Sequence, residues 1–146
     1  MAQPNVQLDC LTRSGTMHNK LNDSGKLVLR LTLGILILLH GIFKLTHGIG
    51  PIQGMVTGMG MPAFFAYGVY AGEVLGPLLL IIGFYARIGA ALIAINMLFA
   101  FALAHTAELT SLTQNGGWTL ELQGMFLFSA VALMLMGPGR IGINQQ

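Results

Sequence analysis

The stretch Leu27–His47, LVLRLTLGILILLHGIFKLTH, decides how the rest of the chain is read. Apolar residues dominate it. As a helix rising 1.5 Å per residue, the part from Leu27 to Leu45 extends about 28 Å, close to the thickness of a bilayer's hydrocarbon core. Arg30, His40, Lys44 and His47 interrupt the run. Turning each residue by about 100° gathers these four in one arc of roughly 100°, with Leu33 and Ile37 between them. Val28, Leu31, Ile35, Leu38, Leu39, Ile42 and Phe43 occupy the opposite face. A charged group facing acyl chains is expensive, so the basic stripe must face protein or a wet cavity. The stretch therefore predicts a membrane-spanning helix with partner helices.

Composition agrees. Of 146 residues, 54% are hydrophobic and 8% charged, where soluble proteins carry about 25% charged residues. A formal charge of +2 with dispersed basic residues excludes a nucleic-acid surface. Cys10 is the single cysteine, so there is neither an internal disulfide nor a Cys-x-x-Cys redox pair.

Residues 1–26 are polar, lack the apolar run of a signal peptide, and read as a flexible N-terminal tail, with Asn22, Asp23 or Ser24 as the cap of the first helix. The segment 46–61 is rich in glycine and contains Pro51, yet Ile52, Met55, Val56 and Met59 recur at helical spacing. This predicts a short interfacial helix. Further spans are expected over 62–84, 88–105 and 120–136, in addition to the first over 27–45. The membrane domain then covers 27–143, with 144–146 as a tail. In the second span, Gly68, Gly72 and Gly76 lay a groove of small residues for close packing. Pro77 cannot donate to the carbonyl of Glu73, which predicts a kink beside that carboxylate.

The expected fold is thus an all-α membrane protein, a bundle of four transmembrane helices. Lys and Arg near the spans fall at Arg13, Lys20, Lys26, Arg30, Arg87 and Arg140, the first and third connections contain none, and Lys44 at the outer end of the first helix is the one exception, favoured there by the helix dipole. The positive-inside rule then puts both termini in the cytoplasm. Arg30, one turn inside that edge, is read as snorkelling to headgroups. His40, Lys44, His47, His105, Glu108, Trp118 and Glu121 share the outer half, with Glu73 at mid-membrane.

An intramembrane carboxylate is either a proton-transfer or ligand-binding group or half of a structural ion pair with Arg30 or Lys44. A quinone head group needs donors for its two carbonyls, and His40, Lys44 and His105 beside an apolar channel suit that need, with Tyr70 or Tyr67 adding a hydroxyl. The histidines show no compact metal-ligand spacing, so no metal is assigned. Asn96 reads as an interhelical hydrogen-bonding residue. Glu73 and Lys44 are the candidates for catalysis, and His40, Lys44, Tyr70, Glu73 and His105 those for holding a quinone.

The order of these motifs resembles the DoxX family of small four-helix membrane proteins. The resemblance is carried by Leu29-Arg30-Leu31, Gly41 and Lys44; by Glu73, Gly76, Leu78 to Leu80, Gly83 and Arg87; by Asn96 and His105; and by Asn115 to Glu121 and Gly137 to Arg140. It implies a multi-pass protein of the bacterial plasma (inner) membrane. Some members are subunits of a thiosulfate:quinone oxidoreductase, and others are associated with oxidative-stress defence. With Cys10 alone, this chain departs from thiol-based variants. The resemblance implies a quinone-linked oxidoreductase subunit embedded in the bilayer, with a protein partner or a second copy. The alternatives are a non-catalytic scaffold for a partner enzyme, or a small proton-coupled carrier centred on Glu73.

Overall fold

A computed structural model of the chain describes residues 4–104 and 106–143, with side chains from residue 20 onward apart from Ala107. His105 and the short tail 144–146 of the sequence reading lie outside the described residues. The described chain is helical with one isolated bridge, Leu112 to Trp118.

The first helix, α1, runs Pro4–His47. It differs from the expected boundary: the polar segment is helical from Pro4 rather than a flexible tail, and no cap forms at Asn22–Ser24. The Ser24 hydroxyl donates back to Lys20 O at 3.0 Å, a bond that a helix interior accommodates. A short helix, α2, follows over Gly50–Gly58, opened by Pro51 in its first turn. The third helix, α3, covers Ala63–Ile82. It starts as a 3-10 turn over Ala63–Tyr67 and widens into a π turn over Ala71–Leu75, where Gly76 N–H bonds Ala71 O. It ends at Gly83, whose φ of 75° closes the last turn. After a tight connection in which Tyr85 takes φ 46°, α4 spans Ala86–Ala104, and α5 spans Glu121–Met136.

Three helices, α1 from Lys20 together with α3 and α4, are long and apolar enough to cross a membrane, while α5 is a shorter apolar helix. In the bundle α1 packs on α3 and α5, α3 on α4, and α4 on α5. The core joins Leu33 and Ile37 of α1 to Leu80, Ile93, Met97, Phe126 and Leu133. On α1 the expected division holds in part: Leu31 and Leu38 of the expected lipid face are half-buried, and His40 and His47 of the basic stripe are exposed. Leu33 and Ile37 are buried, whereas Val28, Ile35, Leu39, Ile42 and Phe43 are exposed and form an apolar outer surface suited to lipid.

Close contact between helices is made by glycine. A Cβ on Gly34 would lie 2.6 Å from Cγ1 of Ile81, and one on Gly89 of α4 would lie 2.6 Å from Gly76 O of α3. Ordinary side chains cannot approach so closely, so these positions set the interhelical distance. Of the expected groove, Gly72 and Gly76 are packed in this way and Gly68 faces open space.

The amphipathic reading of α2 is half met. Val56 is buried and Ile52 packs beside it, but Met55 and Met59 are exposed. With Ile49 and Ala66, Val56 forms a second small core that touches Tyr70 and Leu103. This core covers one end of the bundle.

Candidate functional site

Beneath that cover, in the last turn of α1, Lys44 reaches α3. Its ammonium donates to Oε1 of Glu73 in an ion pair. Asn96 of α4 donates from Nδ2 to the same oxygen at 3.2 Å. Three helices therefore meet at one carboxylate oxygen. The Tyr70 hydroxyl, on the same helix as Glu73, donates to Lys44 O at 3.4 Å and links the site to the α2 core.

The backbone explains why Glu73 can sit inside. It occupies the π turn, a widened turn that recurs at functional sites. Pro77 follows one turn later, and the Glu73 carbonyl lies against Gly41 of α1, where a Cβ would be 2.8 Å from the carbonyl carbon. On the other flank, a Cβ on Gly72 would be 2.6 Å from Asn96 Cγ. Glycine on both sides lets α1 and α4 close on the acidic residue.

The Glu73 side chain is only 6% exposed and that of Lys44 27%. Burial without pairing would be costly for either ion, and the pair with its asparagine bond offsets that cost. The compensation is incomplete. Glu73 Oε2 is buried and has no hydrogen-bond partner among the described residues. Chemically, the cluster offers an ammonium donor, a carboxylate oxygen with a free lone pair, and an amide, all within apolar walls.

The other expected site residues lie elsewhere. His40 is exposed, its Nδ1 bonded to Leu36 O of its own helix at 2.9 Å and its ring edge-on to Phe126 at 6.0 Å. His47 stacks on Phe43 at 4.1 Å and bonds Phe43 O at 3.1 Å. Both lie about 80–100° around α1 from Arg30, past the edge of the buried face. Tyr67 is exposed. The structure thus brings together Lys44, Glu73 and Tyr70 from the expected set and leaves His40 outside. The sequence marks Asn96 only as an interhelical hydrogen-bonding residue; its direct bond to Glu73 depends on α3 and α4 being neighbours. The signal for Gly41 was present, since it lies one turn before Lys44 on the same face.

Arg30 differs most from its reading as a snorkelling anchor. It is 2% exposed. Its Nη1 donates to Pro138 O at 3.3 Å, under the segment that follows α5.

A bundle of apolar helices enclosing an ion pair defines an all-helical membrane protein with Arg30 and Glu73 turned inward. The model of the DoxX family matches residues 25–106, which include Arg30, Lys44, Glu73 and Asn96. The chain belongs to the DoxX family. A relative from Bacillus subtilis (strain 168), named "Putative oxidoreductase CatD", is 35% identical over 126 residues, covering 86% of this chain and 89% of the relative. No solved structure matches the chain.

Proposed function

We propose that this protein is a membrane redox-associated subunit in which Lys44 and Glu73 contact a quinone in the outer half of the bundle. The observation that carries this reading is the buried Glu73 Oε2, left without a hydrogen-bond donor among the described residues beside a lysine ammonium. Quinone reduction takes up two electrons and two protons. A carboxyl group exchanges protons, and an ammonium is a donor for a quinone carbonyl. The family and the name of the Bacillus relative support redox chemistry at the membrane. Electrons come from a partner protein.

In this reading α5 is the fourth span. The end bearing Lys26, Arg30, Arg87 and Arg140 is cytoplasmic by the positive-inside rule, in a bacterial inner membrane, and the Lys44–Glu73 end is outer. Tyr70 positions Lys44 through its backbone carbonyl, and Asn96 orients the carboxylate.

Protein purified in a mild detergent should retain a quinone detectable by solvent extraction and mass spectrometry. Glu73→Gln and Lys44→Met should each deplete it about tenfold, the scale of one charge-assisted hydrogen bond. Wild-type protein that neither retains nor binds added quinone overturns the proposal.

One observation favours a second reading. Lys44, Glu73 and Asn96 join α1, α3 and α4, as a purely structural lock would. A non-catalytic scaffold would use the cluster in this way. It predicts that Glu73→Gln lowers stability while a partner enzyme's activity follows only the amount of folded protein.

A further inference from the structure

At the opposite end of the α1 face, basic side chains converge on the last residue of α5 and the segment that follows it. Lys26 Nζ donates to Met136 O at 3.2 Å, Arg30 Nη1 to Pro138 O at 3.3 Å, and a Cβ on Gly137 would meet Arg87 Nη2 at 3.0 Å. Arg140 is exposed beside them. The acidic group here is Asp23, and its Oδ1 accepts from the Arg140 amide at 3.2 Å.

Carbonyls at the end of α5 carry partial negative charge and suit these cations. They do not satisfy Arg30. Its Nε is buried and has no acceptor among the described residues, and no described carboxylate pairs with it. The Nε–Nη2 edge of a guanidinium takes two oxygens of one anion side-on. That edge includes the unpartnered Nε of Arg30.

We propose that this end of the bundle binds the phosphate of an anionic phospholipid headgroup, with two phosphate oxygens on the Nε–Nη2 edge of Arg30 and with Lys26 and Arg87 flanking. Phosphate is the shared chemistry, and its source is lipid because the apolar α1, α3 and α4 place this end where headgroups lie. The segment that covers Arg30 is tied down at Pro138 and Arg140, and beyond those points it loosens. Ile141 and Ile143 are exposed, and Gly137 and Gly139 take φ of 73° and 75°. A headgroup reaches Arg30 by displacing this strap. Choline-type headgroups add a positive charge that the basic cluster repels, so binding discriminates by net headgroup charge.

The test uses the full chain in a neutral detergent, titrated with phosphatidylglycerol, phosphatidylcholine or inorganic phosphate and read by native mass spectrometry. Phosphatidylglycerol should bind about tenfold more tightly than phosphatidylcholine, a ratio set by about one charge-assisted contact. Arg30→Lys keeps the charge but loses the planar edge, and should weaken phosphatidylglycerol binding about fivefold. Equal binding of the two lipids by the wild type overturns the proposal, as does a folded Arg30→Lys that binds phosphatidylglycerol like the wild type. If Arg30→Lys does not fold, Arg87→Gln and Lys26→Gln decide: unchanged phosphatidylglycerol binding in both overturns it. Inorganic phosphate that binds as tightly as phosphatidylglycerol overturns the lipid assignment.

Discussion

Gly41 of α1 lies directly against the backbone carbonyl of Glu73 on α3, with no room for a Cβ between them. This contact holds the two helices close enough for Lys44, one turn further along α1, to reach the Glu73 carboxylate. A carbonyl and a glycine Cα thereby set the distance of an ion pair.

Gly41→Ala should consequently separate α1 from α3 at the site. Overpacking of this kind costs about 1–3 kcal/mol. Thermal unfolding in detergent should show the loss, and quinone retention should fall even though every polar group of the cluster is intact. The same substitution at Gly68, which faces open space, should be neutral within about 0.5 kcal/mol.

Removing one member of the pair leaves the other buried and uncompensated. Lys44→Met should destabilise by about 3 kcal/mol, toward the low end for a buried pair because Lys44 keeps 27% of its side chain exposed. Glu73→Gln should cost less, since its amide oxygen still accepts from Lys44. The double variant should recover part of the loss of Lys44→Met, and a double-mutant cycle in chemical unfolding would measure the coupling. Strict additivity of the two changes would show that the pair does not interact.

Asn96→Leu removes the second donor on Glu73 Oε1 without leaving a new polar group. The expected stability loss is about 1.5 kcal/mol, the low end for a hydrogen bond to a charged group because the site is partly buried. Infrared difference spectroscopy should report a changed carboxyl band for Glu73. An unchanged band would mean that Asn96 does not bond the carboxylate.

His40→Ala and His47→Ala should leave quinone retention within about twofold of the wild type, as changes in exposed side chains away from a site usually do. Both histidines bond backbone carbonyls of their own helix and lie outside the cluster. A loss as large as that of Lys44→Met would show that the imidazoles reach the ligand.

Much of this was legible in the chain itself. Hydropathy and length define apolar helices because a membrane helix must satisfy its backbone internally, a constraint that acts residue by residue. The lipid-facing side of α1, with Val28, Ile35, Leu39 and Phe43, followed from helical periodicity alone. So did the placement of Lys44 on the inward side and the small-residue contacts at Gly72 and Gly76. The tail did not, because polar residues without an apolar stripe give no periodic signal, and the helix begins at Pro4.

The tertiary structure decided the rest. A helical wheel places Arg30, His40, Lys44 and His47 in one arc, but the buried part of that arc is set by where α3 and α5 dock. That docking buries Arg30, leaves Lys44 27% exposed within the pair, and turns both histidines outward. Helix neighbours depend on non-local contacts such as Gly41 with Glu73 and Gly76 with Gly89, which no local pattern encodes. The sequence by itself thus determined the class of protein and the apolar outer side of its first helix. Only packing in three dimensions selected Glu73 as the partner of Lys44, brought Asn96 to the same oxygen, and closed the C-terminal strap over Arg30.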